Sequence, residues 1–84
     1  MVDIEPEYTE TDESRLLEFE RDGRYVSVSV TKKGYGMLIV SDEGGEVERY
    51  YGFEMALDHA AEILGVSLND LKETVPDEAR DMGM

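Results

Sequence analysis

Asp22-Gly23 lies between two segments in which apolar side chains recur at every second position, and this arrangement constrains the fold more than any other feature of the chain. Asp-Gly favours positive φ at both centres of a two-residue type I′ turn, whose twist matches that of the strands it joins. Pairing Arg21 with Arg24 sets Phe19 opposite Val26 and Leu17 opposite Val28, so both apolar sets share one face. A three-residue loop would set Glu18 opposite Val26 and mix the faces, a slip that moves a whole apolar set to the wrong side. The spacing therefore predicts a tight antiparallel hairpin with Leu16, Glu18, Glu20, Tyr25, Ser27 and Ser29 on its second face.

Thr31-Lys32-Lys33-Gly34 suits a type I turn with Gly in the left-handed position. It leads into a third strand, Tyr35 to Ser41, with Leu38 and Val40 in the core and Tyr35, Met37 and Ile39 on the other face, as an interior strand requires. Asp42-Glu43-Gly44-Gly45 closes a third hairpin onto Glu46 to Tyr51, with its register open because either glycine can take the left-handed position. At Phe53 the period changes from two to 3.6, with Phe53, Ala56, Leu57, Ala60, Ile63 and Leu64 on one stripe. Gly65 supplies the left-handed helix end, Ser67 to Asp70 resembles a capping box, and Pro76 stops the short helix that follows. Residues 1–13 read as a flexible acidic arm, 14–75 as one domain and 76–84 as a frayed tail. The expected fold is α+β: a four-stranded antiparallel meander, one long helix packed on one face, and a short C-terminal helix.

A chain of 84 residues has room for one core. Its 21 Asp and Glu against 8 Lys and Arg give a formal charge of −13, and only Lys32, Lys33 and Lys72 are lysines. Such self-repulsion weakens a compact state in dilute buffer but is screened where the Debye length falls to about 3 Å, near 1 M salt. This balance points to a protein adapted to molar salt. Without cysteine there is neither a disulfide framework nor a thiolate site, and no run approaches the roughly 18 apolar residues of a membrane helix. An acidic start in place of a basic one argues against a signal peptide, so the expected location is cytoplasmic.

Chemistry-bearing motifs are sparse. His59 is the only histidine, and Asp58 and Glu62 beside it lie on the wet side of the helix, so no metal site is expected. Glu54, Asp58 and Glu62 form a solvated row where general acid catalysis needs a carboxyl group in an apolar pocket. Gly34-Tyr35-Gly36 and Gly44-Gly45 fit hairpins and not phosphate cradles. No cofactor and no enzymatic activity are therefore expected. The stretch 60–74 resembles a helix-turn-helix, but its second helix offers one base, Lys72, beside Asp70 and Glu73.

Residues 25–41 contain no acid and include Lys32 and Lys33. Leu16, Tyr25, Ser27, Ser29, Lys32, Lys33, Tyr35, Met37 and Ile39 form the candidate interface on the sheet face away from the long helix, for a protein partner or self-association. The alternative occupant is nucleic acid, held by the Lys32/Lys33 hairpin or by the helix-turn-helix. In element order the sheet and helix are also similar to single-strand-binding coactivator and Whirly folds, whose sheet faces bind nucleic acid but are basic and aromatic.

The acidic bias, the preference for Arg, and the run Tyr51-Gly52-Phe53-Glu54-Met55-Ala56-Leu57 through Leu64-Gly65-Val66-Ser67 resemble small haloarchaeal proteins of unknown function over residues 14–72. That resemblance implies no substrate, cofactor or catalytic residue.

Overall fold

The computed structural model describes residues 3–32, 37–45 and 47–82. Five antiparallel strands form one sheet in sequence order: β1 (Glu5–Glu10), β2 (Ser14–Arg21), β3 (Arg24–Thr31), β4 (Leu38–Asp42) and β5 (Val47–Tyr50). Helices α1 (Phe53–Leu64) and α2 (Leu68–Thr74) and a 3-10 turn, Asp77–Ala79, follow.

The β2–β3 hairpin has the register its turn dictates. Arg21 pairs with Arg24, Phe19 with Val26 and Leu17 with Val28, and Asp22 and Gly23 both have positive φ, 50° and 79°. The β4–β5 register, open in the sequence, is settled by Gly45 at φ 85°, whose N–H donates to Asp42 O at 3.1 Å. It pairs Leu38 with Tyr50 and Val40 with Glu48. The turn at Lys33, Gly34, Tyr35 and Gly36 lies outside the described residues, as does Glu46.

The four expected strands are five. Glu5–Glu10, within the stretch read as a flexible arm, is an edge strand paired with β2, Tyr8 opposite Leu17 and Pro6 opposite Phe19. Its alternation is present but disguised: Ile4, Pro6 and Tyr8 face the core side while Glu5, Glu7 and Thr9 face away. Proline and tyrosine in place of Val or Ile, among glutamates, hid a period of two.

One apolar layer joins the sheet to the helices. Leu17, Phe19, Val26, Val28, Leu38 and Val40 meet Ala56, Leu57, Ala60, Ala61 and Leu64 of α1. Large side chains such as Phe19 and Leu17, with no exposed surface, contribute about 1.5–3 kcal/mol each. The helix ends as its sequence requires, with Gly65 at φ 73° and Val66 N–H donating to Ala61 O at 3.0 Å. Arg21 Nη1 donates to the terminal Leu64 carbonyl at 2.8 Å. Ser67 Oγ accepts from Asp70 N–H at 3.1 Å and starts α2.

Past Pro76, where a frayed tail was expected, the 3-10 turn brings Ala79 and Met82 into the core with no exposed surface. Two apolar residues spaced three apart among charges left too faint a period to read. Arg15 fastens this tail: Nη2 donates to Glu78 O at 2.7 Å and pairs with Asp81, while Nε donates to Tyr8 Oη at 2.6 Å. Its guanidinium also lies 5.6 Å from the Tyr8 ring centre, so one side chain joins β1, β2 and the C-terminus.

Candidate interaction surface

Strand alternation sends one set of side chains to the helices and the other to the opposite, outer face. Two rows cross that face: Glu7, Glu18, Ser27, Ser41 and Val47 in one, and Thr9, Leu16, Ser29, Ile39 and Arg49 in the next. The buried residues of α1, α2 and the tail all belong to the core on the other side, so no described helix packs over these rows.

Of the residues expected at the interface, Leu16, Ser29 and Ile39 share one row and Ser27 lies in the next. Leu16, Ser29, Ile39 and Met37 are half-buried, and Ser27, in the middle strand, retains only 8% of its surface. Tyr25 lies at one end, its O–H donating to Glu18 Oε2 at 2.6 Å. Burial first, and then that carboxylate, push its phenol pKa up, so Tyr25 stays a donor. Lys32 Nζ sits 2.6 Å from Glu10 Oε2 and is not a free cation. That contact, with help from the Tyr8 hydroxyl, lowers the Glu10 pKa. Lys33 and Tyr35 lie outside the described residues.

The acid-free stretch 25–41 does not make an acid-free face. Strands β1 and β2 bring Glu5, Glu7, Glu18 and Glu20 around Tyr25 in a shallow groove, so the face is apolar and hydroxylic in its middle and strongly anionic at one corner. The missed strand β1 supplies half of those carboxylates.

The stretch 60–74, read as resembling a helix-turn-helix, spans the end of α1 and all of α2. Leu71 is buried and Leu68 packs on the core, and Lys72 lies 3.8 Å from Glu54, bridging α2 to α1. His59 packs its ring against Tyr50, centroids 5.6 Å apart at 41°. Among the described residues no three His, Asp or Glu side chains are grouped to hold a metal ion, and no helix is long and apolar enough to cross a membrane.

The whole chain, residues 1–84, matches the model of a family of unknown function (DUF7111). It belongs to that family. No curated protein and no solved structure matches it. For this DUF7111 chain, surface chemistry is therefore the guide to function, and one surface was missed in the sequence. The large apolar side chains most exposed among the described residues are Val47 (47%), Met55 (61%) and Tyr51 (79%), all on or beside β5 and the first turn of α1. Met55 and Tyr51 fall off the helical stripe, which marks them as surface residues; only the fold brings them to one border.

Proposed function

We propose that this protein is a non-enzymatic module that binds another protein through the outer face of its sheet. The observation that carries the reading is the one-sided architecture: every described helix packs on one face, while Leu16 and Ile39 remain on the other among the hydroxyls of Ser27, Ser29 and Ser41. A five-stranded sheet with one such face left open needs an occupant or a strongly polar covering, and between the Glu corner and Arg49 its described rows are apolar or hydroxylic.

The partner's chemistry follows from that corner. A surface with an apolar centre and a Lys- or Arg-bearing flank would complement Leu16 and Ile39 on one side and Glu5, Glu7, Glu18 and Glu20 on the other. A second copy is a poorer fit in dilute buffer, since each chain carries −13. Glu10 and Asp81 are pushed down by Lys32 and Arg15, the opposite direction from the raised pKa of a general acid. Cytoplasmic action in a salt-rich cell belongs to the same reading. Nucleic acid is the weaker reading, because Lys32 and Lys72 are engaged by Glu10 and Glu54.

The test is affinity capture from a halophile lysate in molar KCl with nuclease present, comparing the natural chain with Ile39→Asp, Met37→Asp and Ser29→Lys. The last variant adds bulk without removing an apolar contact. A stoichiometric protein retained by the natural chain and lost with all three, at unchanged fold, supports the module. Equal retention by the variants, or binders that vanish with nuclease, would refute it.

A further inference from the structure

The border between β5 and α1 combines three features. First, β5 ends the sheet: it pairs with β4 on one side, and no described strand lies beyond it, so its outer edge presents main-chain N–H and C=O groups. Second, the exposed apolar side chains Tyr51 and Met55 lie along this border. Third, a groove between strand and helix is lined by Tyr50, Met55, Asp58, His59 and Glu62. A free edge beside a helix-walled groove is the arrangement by which sheets accept an added peptide strand, the main chain giving affinity and alternate side chains giving specificity.

The groove also has a sign. Glu48 points to the helix side of β5 with Tyr50, and Asp58 and Glu62 line the opposite wall, whereas alternation sends Arg49 to the outer face. Burial, followed by Glu48, Glu62 and Asp58, pushes the Tyr50 phenol pKa up, the response expected in a negative field. The other edge differs: β1 carries Pro6, which has no N–H to offer, and Glu5, Glu7 and Glu10.

Self-pairing through β5 is disfavoured by the same charges. Two antiparallel registers keep both faces of a joined sheet continuous and overlap three of the four β5 residues. One sets Glu48 opposite Glu48 of the second copy, and the other sets Arg49 opposite Arg49, and like charges directly opposed destabilise a strand pair.

We infer that the groove between β5 and α1 binds an extended segment of a partner protein, which adds to β5 as a sixth strand and places apolar side chains at Met55 and the Tyr50–His59 pair and a Lys or Arg between Asp58 and Glu62. The occupant is thus a basic, alternating peptide. This site is separate from the outer face, and neither depends on the other.

A short capped peptide alternating lysine and valine tests it, titrated into isotopically labelled protein in about 1 M KCl, where diffuse attraction to the acidic surface is screened. Saturable shifts centred on Val47, Tyr50, Met55 and His59, with slowed exchange of β5 amides, are expected. Met55→Asp should weaken binding about tenfold or more, as loss of an interface anchor does. Asp58→Lys with Glu62→Lys should transfer the preference to a second capped peptide, alternating glutamate and valine. N-methylation of alternate peptide residues should abolish binding. Absence of saturable binding overturns the inference, as do shifts spread over the acidic surface and indifferent to Met55→Asp. Shifts confined to Leu16 and Ile39 overturn it while favouring the outer face, and β5 protection by self-association without peptide assigns the edge to a second copy and overturns it too.

Discussion

Neutralising Glu7 and Glu20 together should stabilise the protein in dilute buffer and do almost nothing in molar salt. The register sets Glu5 directly opposite Glu20 and Glu7 directly opposite Glu18, all four on the outer face, with Cβ atoms of opposed residues roughly 5 Å apart. Glu7→Gln with Glu20→Gln removes one member of each pair and leaves Glu18 free to accept from Tyr25. At about 0.2–1 kcal/mol for each like-charge pair, the double variant should gain about 1 kcal/mol at low ionic strength. With a urea dependence near 1 kcal/mol/M for so small a chain, the unfolding midpoint moves up by about 1 M. Near 1 M KCl the Debye length is about 3 Å, shorter than the pair separation, and the shift should largely vanish. Glu43→Gln with Glu73→Gln is the control, since it removes the same net charge from exposed positions, each facing no opposed strand carboxylate. The assay is urea denaturation at low and molar KCl, with amide exchange at Glu5–Glu10 locating the gain in β1. Equal effects of the two double variants, or a gain that persists in molar salt, would refute the reasoning, because the local pairs would then contribute nothing beyond overall charge.

Met82→Ala should cost about 2 kcal/mol or more, the low end of the range for a buried Met, while Met55→Ala stays within about 0.5 kcal/mol; equal urea midpoints for the two would mean the tail is not docked. Acid should unfold the protein partly through Glu10 and Asp81. Their folded pKa values lie below the ordinary 4.5 and 3.8, so their stabilisation is present above those values and is lost as pH falls through the depressed ones. Lys32→Met and Arg15→Met should each flatten that limb in a pH series of thermal melts, and an unchanged limb would argue against the pairings. Gly23→Ala and Gly65→Ala should each cost about 1–2 kcal/mol for forcing a side chain into left-handed φ; a Cβ at Gly23 meets nothing, whereas at Gly65 it would come 2.9 Å from the movable end of Arg24, so thermal melts showing no loss for Gly23→Ala would contradict its turn geometry.

The elements that could be read from the sequence were those in which one local rule decided the outcome. Asp22-Gly23 with alternation on both sides left a single register, and the switch to a 3.6 period between Phe53 and Gly65 left a single helix. The β4–β5 register needed information that two adjacent glycines do not carry, namely which takes positive φ; it is Gly45. β1 and the tail were illegible for a shared reason. Each buries few apolar groups of its own, Ile4 and part of Tyr8 in one and Ala79 and Met82 in the other, and each is held by Arg15, a contact 63 residues apart in the case of Glu78. The alternation of Leu16, Ser27, Ser29 and Ile39 onto one face was legible, but the charge of that face was not, because its acidic corner exists only once β1 is in place.

Arg15 also determines how the two surfaces respond to salt. Because it contacts Tyr8 in β1 and Glu78 and Asp81 in the tail, loosening either segment weakens the hold on the other, and the opposed glutamates make β1 the segment that low salt loosens first. This happens at one end of the sheet. Strands β2, β3 and β4 separate β1 from β5, and α1 rests on β3, β4 and β5. Dilution should therefore disturb the acidic corner of the outer face while the groove between β5 and α1 keeps its shape. A partner of the proposed outer-face site would have to bind in the salt that keeps β1 attached, where charge attraction is weakest, so Leu16 and Ile39 would have to supply most of its affinity. A strand added to β5 depends chiefly on main-chain hydrogen bonds, which salt screens far less, and the carboxylates around Tyr50 then govern which strand is accepted more than how tightly it is held.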